Sequence, residues 1–354
     1  MQQDSAEVVI DVDDDDTQSE TGSSIASSRT SLRSSLLDYR VENGRTYHRY
    51  KDGSMLRHLF LSCGLQSLTR LPEYAIPNDE REQDRLDLTH QLWLLTIDDR
   101  LGVAPPCKKG AKIGRVLDVG TGTGIWALNF GDEHPEAEVQ NLPILALLYL
   151  IVPPNVTFEV DDLEDEWIFS RPFDYIHSRM MSGSIADWRV YLQNCFDNLN
   201  PGGYVEVQDI DLFIRSDDGT LKPDAPLMKW TNLLYDAMHE LGRPYVEILS
   251  LKQILVEIGF EDVTLDVYKW PTNSWPKDAR YKEIGMWSNE NMAAGLEAFT
   301  MGPVTRAHGW SREEVDVLLV GVRRDINDRR IHAYWPTYCV VGRKPEKQNS
   351  SGES

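Results

Sequence analysis

Apolar and polar positions alternate along this chain in three regimes. The first, residues 1–36, has no periodicity: an acidic run, Asp13–Asp16, gives way to a serine-rich stretch. Such a composition buries too little apolar surface to offset chain entropy, so it reads as a disordered tail. Residues 346–354 read likewise. The second regime, residues 37–110, predicts an N-terminal helical cap, with the stretch from Leu37 to Leu101 mostly helical. Between Asp79 and Trp93, Leu86, Leu88, Leu92 and Trp93 recur among charges at roughly helical spacing, with Asn78 as the N-cap. The third, residues 111–345, breaks into short apolar runs separated by helical stretches, the βα alternation of a sheet covered by helices.

Strands are predicted there at Arg115–Val119, Val156–Val160, Phe173–His177, Tyr204–Gln208, Val263–Tyr268 and Tyr334–Gly342. Helices are predicted at Ala186–Asn198, Pro226–Leu241 and Glu247–Ile258, and Asn200-Pro201-Gly202-Gly203 reads as a turn. Residues 270–332 form an insertion before the last strand. A long insertion in a compact domain usually serves the site. Its Trp270, Trp275, Tyr281 and Trp287 suit either the wall of a pocket for a planar molecule or packing onto the sheet.

Composition narrows the function classes. The chain has 354 residues, 41% of them hydrophobic, enough for one large α/β domain with additions. A net charge of −21 argues against direct nucleic-acid binding, which needs a basic surface, but leaves room for a basic protein partner. The four cysteines are far apart, with no metal-ligand spacing and no disulfide framework. The acidic N-terminus carries no secretory leader. The longest apolar run, Leu142–Val152, is short of the roughly 20 residues that span a bilayer. No membrane association is expected, and a cytoplasmic or nuclear location is.

The segment that carries chemistry is RVLDVGTGTGIW, Arg115–Trp126. A short apolar strand ends on Asp118 and runs through Gly120, Gly122 and Gly124 into a helix. Glycine allows positive φ and lets a ligand lie on the backbone, and a helix start offers free N–H groups. Dinucleotide folds space their glycines G-x-G-x-x-G for a pyrophosphate. Here the order is D-x-G-x-G-x-G, and the acid would repel a pyrophosphate but suits an amino-acid ammonium. A nicotinamide oxidoreductase is therefore disfavoured, as is a turn without any ligand. The arrangement resembles that of S-adenosylmethionine methyltransferases.

Longer segments sharpen the resemblance. ENGRTYHRYKDG (Glu42–Gly53), PNDEREQDRLDLTH (Pro77–His90), FDYIHSRMMSGSIADW (Phe173–Trp188), NPGGYVEVQDID (Asn200–Asp211) and DRRIHAYWPTY (Asp328–Tyr338) are together similar to the fungal LaeA-like methyltransferases. These are also described as TAM-domain methyltransferases and as regulators of secondary metabolism in the velvet complex. The resemblance implies an α/β fold with a Rossmann-like seven-stranded class I methyltransferase sheet, N-terminal helices and a helical insertion before the last strand. It implies that Asp118, Gly120, Thr121, Gly122 and Gly124 hold the methionine end of S-adenosylmethionine, and that Asp161 and Asp162 lie near its adenine. His177 and Ser178 would end a strand beside the sulfonium. His177 leads His308 and His332 as a candidate base, while Tyr47, His48 and His90 fall in motifs that fold over the cofactor.

Two segments depart from the family pattern. Ser54–Leu71 is an insertion without period, and Val139–Asn155 contains no acid where members carry one for the ribose hydroxyls. Each lost charge-assisted hydrogen bond is worth roughly 1.5–3 kcal/mol. Cofactor binding would weaken by about tenfold to a hundredfold. The expected function is methyl transfer from S-adenosylmethionine to a small metabolite or a protein. The alternative is a regulatory protein, acting in a protein complex, that uses a weakened methyltransferase domain as a binding module.

Overall fold

A computed structural model describes residues 39–48, 76–120, 122–142, 152–158, 163–164 and 166–346. The expectations for residues 1–36, the insertion at 54–71, residues 143–151, Thr121, Asp161, Asp162 and residues 347–354 lie outside the described residues.

The chain begins with a hairpin, not a helix: β1 (Tyr39–Glu42) pairs antiparallel with β2 (Arg45–His48). The reason is local. Asn43 and Gly44 both take positive φ, 51° and 79°, the pair of left-handed residues that a tight two-residue hairpin demands. The helix that follows, α1 (Glu80–Thr96), is capped by Asp79 and not by Asn78. Asn78 is otherwise engaged, accepting at Oδ1 from the Thr46 hydroxyl at 2.7 Å, which ties the hairpin to the helix.

A seven-stranded sheet follows, built from β3 (Arg115–Val119), β4 (Glu138–Leu142), β5 (Val156–Phe158), β6 (Phe173–Arg179), β7 (Leu199–Ile210), β8 (Glu261–Pro271) and β9 (Tyr334–Arg343). Their order is β5-β4-β3-β6-β7-β9-β8. β3 to β7 run parallel, and β9 is antiparallel to both of its neighbours. β4 was not legible from its residues, E-V-Q-N-L, in which only two of five are apolar. The expected turn at Asn200–Gly203 lies inside β7. There the ladder jumps from Phe173↔Leu199 to Tyr175↔Tyr204, and Gly202 takes φ +81°.

Helices α2 (Ile125–Glu133), α3 (Trp188–Asp197), α4 (Pro226–Glu240) and α5 (Ile248–Ile258) connect the strands. The insertion is helical as expected: α6 (Ala279–His308) and α7 (Arg312–Asn327). Leu296, Met301 and Val304 of α6 and Leu319 and Val322 of α7 share one buried cluster with Leu92 and Trp93 of α1 and Trp230 of α4. The insertion and the N-terminal helix thus form one roof over the carboxyl ends of the strands.

A buried acid fastens the connection into that sheet. Glu206 of β7, fully buried, accepts from the backbone N–H of Val103 and Ala104 at 2.9 Å each, from the Tyr175 hydroxyl at 2.9 Å and from Gln208 Nε2 at 2.7 Å. Strand order reverses around β3, with β4 on one side and β6 on the other. In open α/β sheets that crevice is where ligands bind.

Candidate active site

Parallel register places three polar side chains in one row at the switch point. Asp118 of β3 lies opposite Asn141 of β4 and opposite His177 of β6. All three are buried. The Asp118 Oδ1 is 2.7 Å from His177 Nδ1. The imidazole is stacked on the Trp126 indole, with centroids 3.8 Å apart and planes within 6°. Among the described residues, Asp118 Oδ2 and both side-chain polar atoms of Asn141 have no hydrogen-bond partner. Burial pushes the Asp118 carboxyl well above the usual carboxylate range, opposed by the nearby Arg179 guanidinium. The same burial, helped by the charge of Arg179, holds His177 well below the usual imidazole range, so its ring is neutral.

The turn after β3 is built for backbone contact. Gly120 takes φ +71°, and a Cβ there would lie 2.1 Å from Met181 Sδ. Gly124 caps α2 in the left-handed region at φ +87°; a Cβ there would meet Phe158 at 2.8 Å and Asn141 Nδ2 at 3.4 Å. Gly122 completes the turn, also at positive φ. Thr123 anchors it to α1 by donating to Asp87 at 2.6 Å. Ser178 is buried one residue past His177, opposite Val119.

Arg179 was missed in the sequence. It closes β6 and reaches back, donating from Nε to Gln208 Oε1 at 2.7 Å and from Nη2 to the Leu101 carbonyl at 3.2 Å. Its Nη1 lies 3.0 Å from His90 Nδ1. Burial pulls the guanidinium down to about 10, so it stays charged at neutral pH. His90 is held between Arg179 and Asn129 Nδ2 at 2.9 Å, and burial with the Arg179 charge lowers it to about 3. Asp118, His177, His90 and Arg179 line a cavity of about 60 Å³ beside Gly120 and Gly122.

A second cavity of about 130 Å³ opens on the other side of Met180, towards β7 and the roof. Met180 is one of five non-glycine residues at positive φ among the described residues, at 55°, a strained position of the kind that clusters at functional sites. Asp209, fully buried at the end of β7, holds the next two residues by accepting from Met181 N at 2.8 Å and Ser182 N at 2.9 Å. Burial raises its carboxyl to about 6 against those hydrogen bonds.

The other candidates lie apart from these cavities. Tyr47 is buried under the Arg306 guanidinium, 4.8 Å from its ring centroid. His308 faces Glu240 at 3.6 Å, and His332 lies 2.6 Å from Asp218 at the surface. The side chain of His48 is outside the described residues. Of the four insertion aromatics, Trp270 donates to the Thr96 hydroxyl and Trp275 to the Ala333 carbonyl, at 2.7 and 2.9 Å. Tyr281 and Trp287 face solvent. Trp270 and Trp275 take the packing role, Tyr281 and Trp287 take neither, and Met292 and Phe299 of α6 reach the cavity instead. Among the described residues there is no group of ligands for a metal ion, and no helix is long and apolar enough to cross a membrane.

Residues 80–265 match the methyltransferase domain family. The chain is 40% identical over 320 residues to Methyltransferase pytC of Aspergillus terreus, covering 90% of this chain and 92% of that protein. It is 36% identical over 311 residues to the Secondary metabolism regulator LAE1 of Cochliobolus heterostrophus, covering 87% and 95%. Among solved structures, phosphoethanolamine N-methyltransferase 2 of Haemonchus contortus aligns with a TM-score of 0.42 and 19% identity. That alignment covers 67% of this chain and 51% of the other. The sequence identities and their coverage settle the family: the chain belongs to the fungal LaeA-like class I S-adenosylmethionine-dependent methyltransferases.

Proposed function

We propose that the carboxyl ends of β3, β4 and β6 hold S-adenosylmethionine and that the methyl acceptor, a small metabolite or a protein, binds on the β6–β7 side. The observation that carries this reading is the buried Asp118 carboxyl, whose Oδ2 lacks a partner among the described residues, beside a turn of positive-φ glycines. A buried carboxylate oxygen left unpaired costs free energy unless a ligand supplies the donor. The ammonium of an amino-acid moiety is such a donor. When bound, the cofactor supplies a methyl group already activated by its sulfonium.

The residues then divide the work. Asp118 receives the ammonium, and the backbone of Gly120, Gly122 and Gly124, with Thr121, lies against the methionine end. Asn141 takes the ribose hydroxyls as a neutral partner where relatives use an acid, and Asp161 and Asp162 serve the adenine. His177 acts through Asp118: its Nδ1 is committed to that carboxylate and its ring to Trp126, so it is a positioning residue ahead of a general base. Alignment of two bound reactants supplies up to about 7–11 kcal/mol of the barrier, which leaves little covalent work for the protein.

A second reading has a specific observation behind it. No acid stands between Glu138 and Glu159, and a relative at 36% identity bears the name of a regulator. In that reading the domain binds the cofactor weakly and serves a regulatory complex, with a nuclear location; the enzymatic reading goes with a cytoplasmic one. Calorimetric titration of S-adenosylmethionine into the full chain, with NADH as the control, separates them. Micromolar binding of S-adenosylmethionine and none of NADH is expected. A folded chain that binds neither would sink the enzymatic reading.

A further inference from the structure

The cavity of about 130 Å³ has a wall that is mostly apolar: Met181, Leu212, Trp230, Leu234, Met292 and Phe299 face it from the segments after β6 and β7 and from α4 and α6. Its size matters. A dry apolar cavity of about 150 Å³ takes up a benzene ring. The wall also carries three acids and two arginines, Arg85 and Arg179, and each is already engaged, Arg179 with Gln208 and the Leu101 carbonyl. Glu82 is paired with Arg85 at 2.6 Å, both buried. Asp211 pairs with Arg215 at 3.2 Å and accepts from Phe213 N at 3.0 Å. Asp209 accepts from the backbone N–H groups of Met181, Ser182 and Ile210. None is left to receive a lysine or arginine side chain, and desolvating such a cation without a counter-charge is costly.

We infer that this cavity receives one neutral, apolar ring of a small-molecule methyl acceptor, a single aromatic ring being the size it fits. The inference rests on the cofactor reading above, because Gly120 and Gly122 form the rim that the cavity shares with the Asp118 side. The strained Met180 lines both cavities, as do Gly120 and Gly122. A ring seated against Leu212, Leu234 and Met292 would therefore present a substituent across Met180 towards the glycine turn. Met292 lies on the insertion, so this long segment would contribute directly to acceptor choice.

The test uses the full chain and 4-fluorophenol, followed by fluorine NMR, with S-adenosylhomocysteine affinity measured separately by calorimetry. The expected result is saturable 4-fluorophenol binding that persists when S-adenosylhomocysteine is bound. Met292→Trp, which fills the cavity from α6, should weaken the probe about tenfold or more, the loss of one buried ring, and leave S-adenosylhomocysteine within about twofold. Leu234→Trp fills the same space from α4 and covers the case in which the first variant fails to fold. A chain that binds S-adenosylhomocysteine but not 4-fluorophenol overturns the acceptor class and spares the cofactor reading. Displacement of the probe by S-adenosylhomocysteine assigns the cavity to the cofactor, and displacement by a lysine-rich peptide assigns it to a protein acceptor. Either overturns the proposal, as does a probe affinity that both variants leave unchanged. A folded chain that binds neither compound overturns both readings.

Discussion

Two buried carboxylates, one in β3 and one in β7, are treated oppositely by this fold. Glu206 has four donors around it and no exposure, so its oxygens are satisfied by protein alone. Asp118 is nearly as buried, yet has His177 on one oxygen and, among the described residues, nothing on the other. A fully satisfied acid stabilises the native chain, whereas a half-satisfied one holds stability in reserve for a ligand. The difference separates the part of the sheet that carries the fold from the part proposed to serve the cofactor.

Removing the satisfied acid should do the most damage. Glu206→Ala leaves the Val103 and Ala104 N–H groups, the Tyr175 hydroxyl and the Gln208 amide without their acceptor. Breaking such a buried network costs on the order of 3–5 kcal/mol, a large part of a typical domain's stability. The melting temperature should fall by roughly 10 °C. A shift of only a degree or two by calorimetry would mean that Glu206 is no anchor and that the contrast is false.

The unsatisfied acid should respond the other way. Asp118→Asn keeps an acceptor for His177 but removes the charge that awaits an ammonium. Cofactor affinity should drop about tenfold to a hundredfold, the worth of one charge-assisted bond at roughly 1.5–3 kcal/mol. The melting temperature should hold or rise, because burial already disfavours that charge. Titration calorimetry beside differential scanning reads both quantities, and an unchanged affinity would remove Asp118 from the cofactor site.

The ligand end should also be the acid-sensitive end. His90 has a folded value of about 3 against an ordinary 6.5, lowered by burial and by Arg179. An unfolded chain therefore takes up a proton near pH 6.5 that the folded chain refuses, so this group costs stability as pH falls below 6.5. Against a His90→Asn variant, the parent's advantage should shrink by about 1.4 kcal/mol per pH unit below that point. Denaturant melts of both chains at about pH 7.5 and about pH 5 would show a narrowing of about 2 kcal/mol. A constant gap would mean that the imidazole is charged in the native state.

How much of this was legible follows from how local each feature is. β3, the glycine turn and Asp118 lie within one short run, whose apolar strand, acid and glycine spacing state their roles together. The strand ends at His177 and Gln208 could be found, but not the pairing of His177 with Asp118, since a contact across 59 residues is a matter of register. Arg179 and Glu206 give no pattern of their own, because a buried ion pair or anchor depends on side chains brought from elsewhere. The hairpin at Tyr39–His48 did carry a signal, Asn43-Gly44, which a helical reading of the cap passed over. The insertion aromatics left two roles open for a physical reason. Large rings bury well anywhere, and Trp270 and Trp275 found backbone and hydroxyl partners in the core before any pocket.

Asn141 gives the finest test of the contrast, because it is neutral where Asp118 is charged. It stands beside Asp118 in register, fully buried, with an amide that nothing among the described residues satisfies. An orphaned polar group in that position is retained at a cost unless a ligand uses it. Asn141→Leu should therefore stabilise the free chain while weakening the cofactor by about fivefold, the loss of a neutral hydrogen bond worth about 1 kcal/mol. The two effects have opposite signs, which a purely structural residue would not produce. If the variant is more stable and binds the cofactor as before, the ribose is held elsewhere, and Asn141 marks the place where this chain gave up a contact that its relatives keep. That result would favour the regulatory reading, since a domain that tolerates an empty ribose site has no need of tight cofactor turnover.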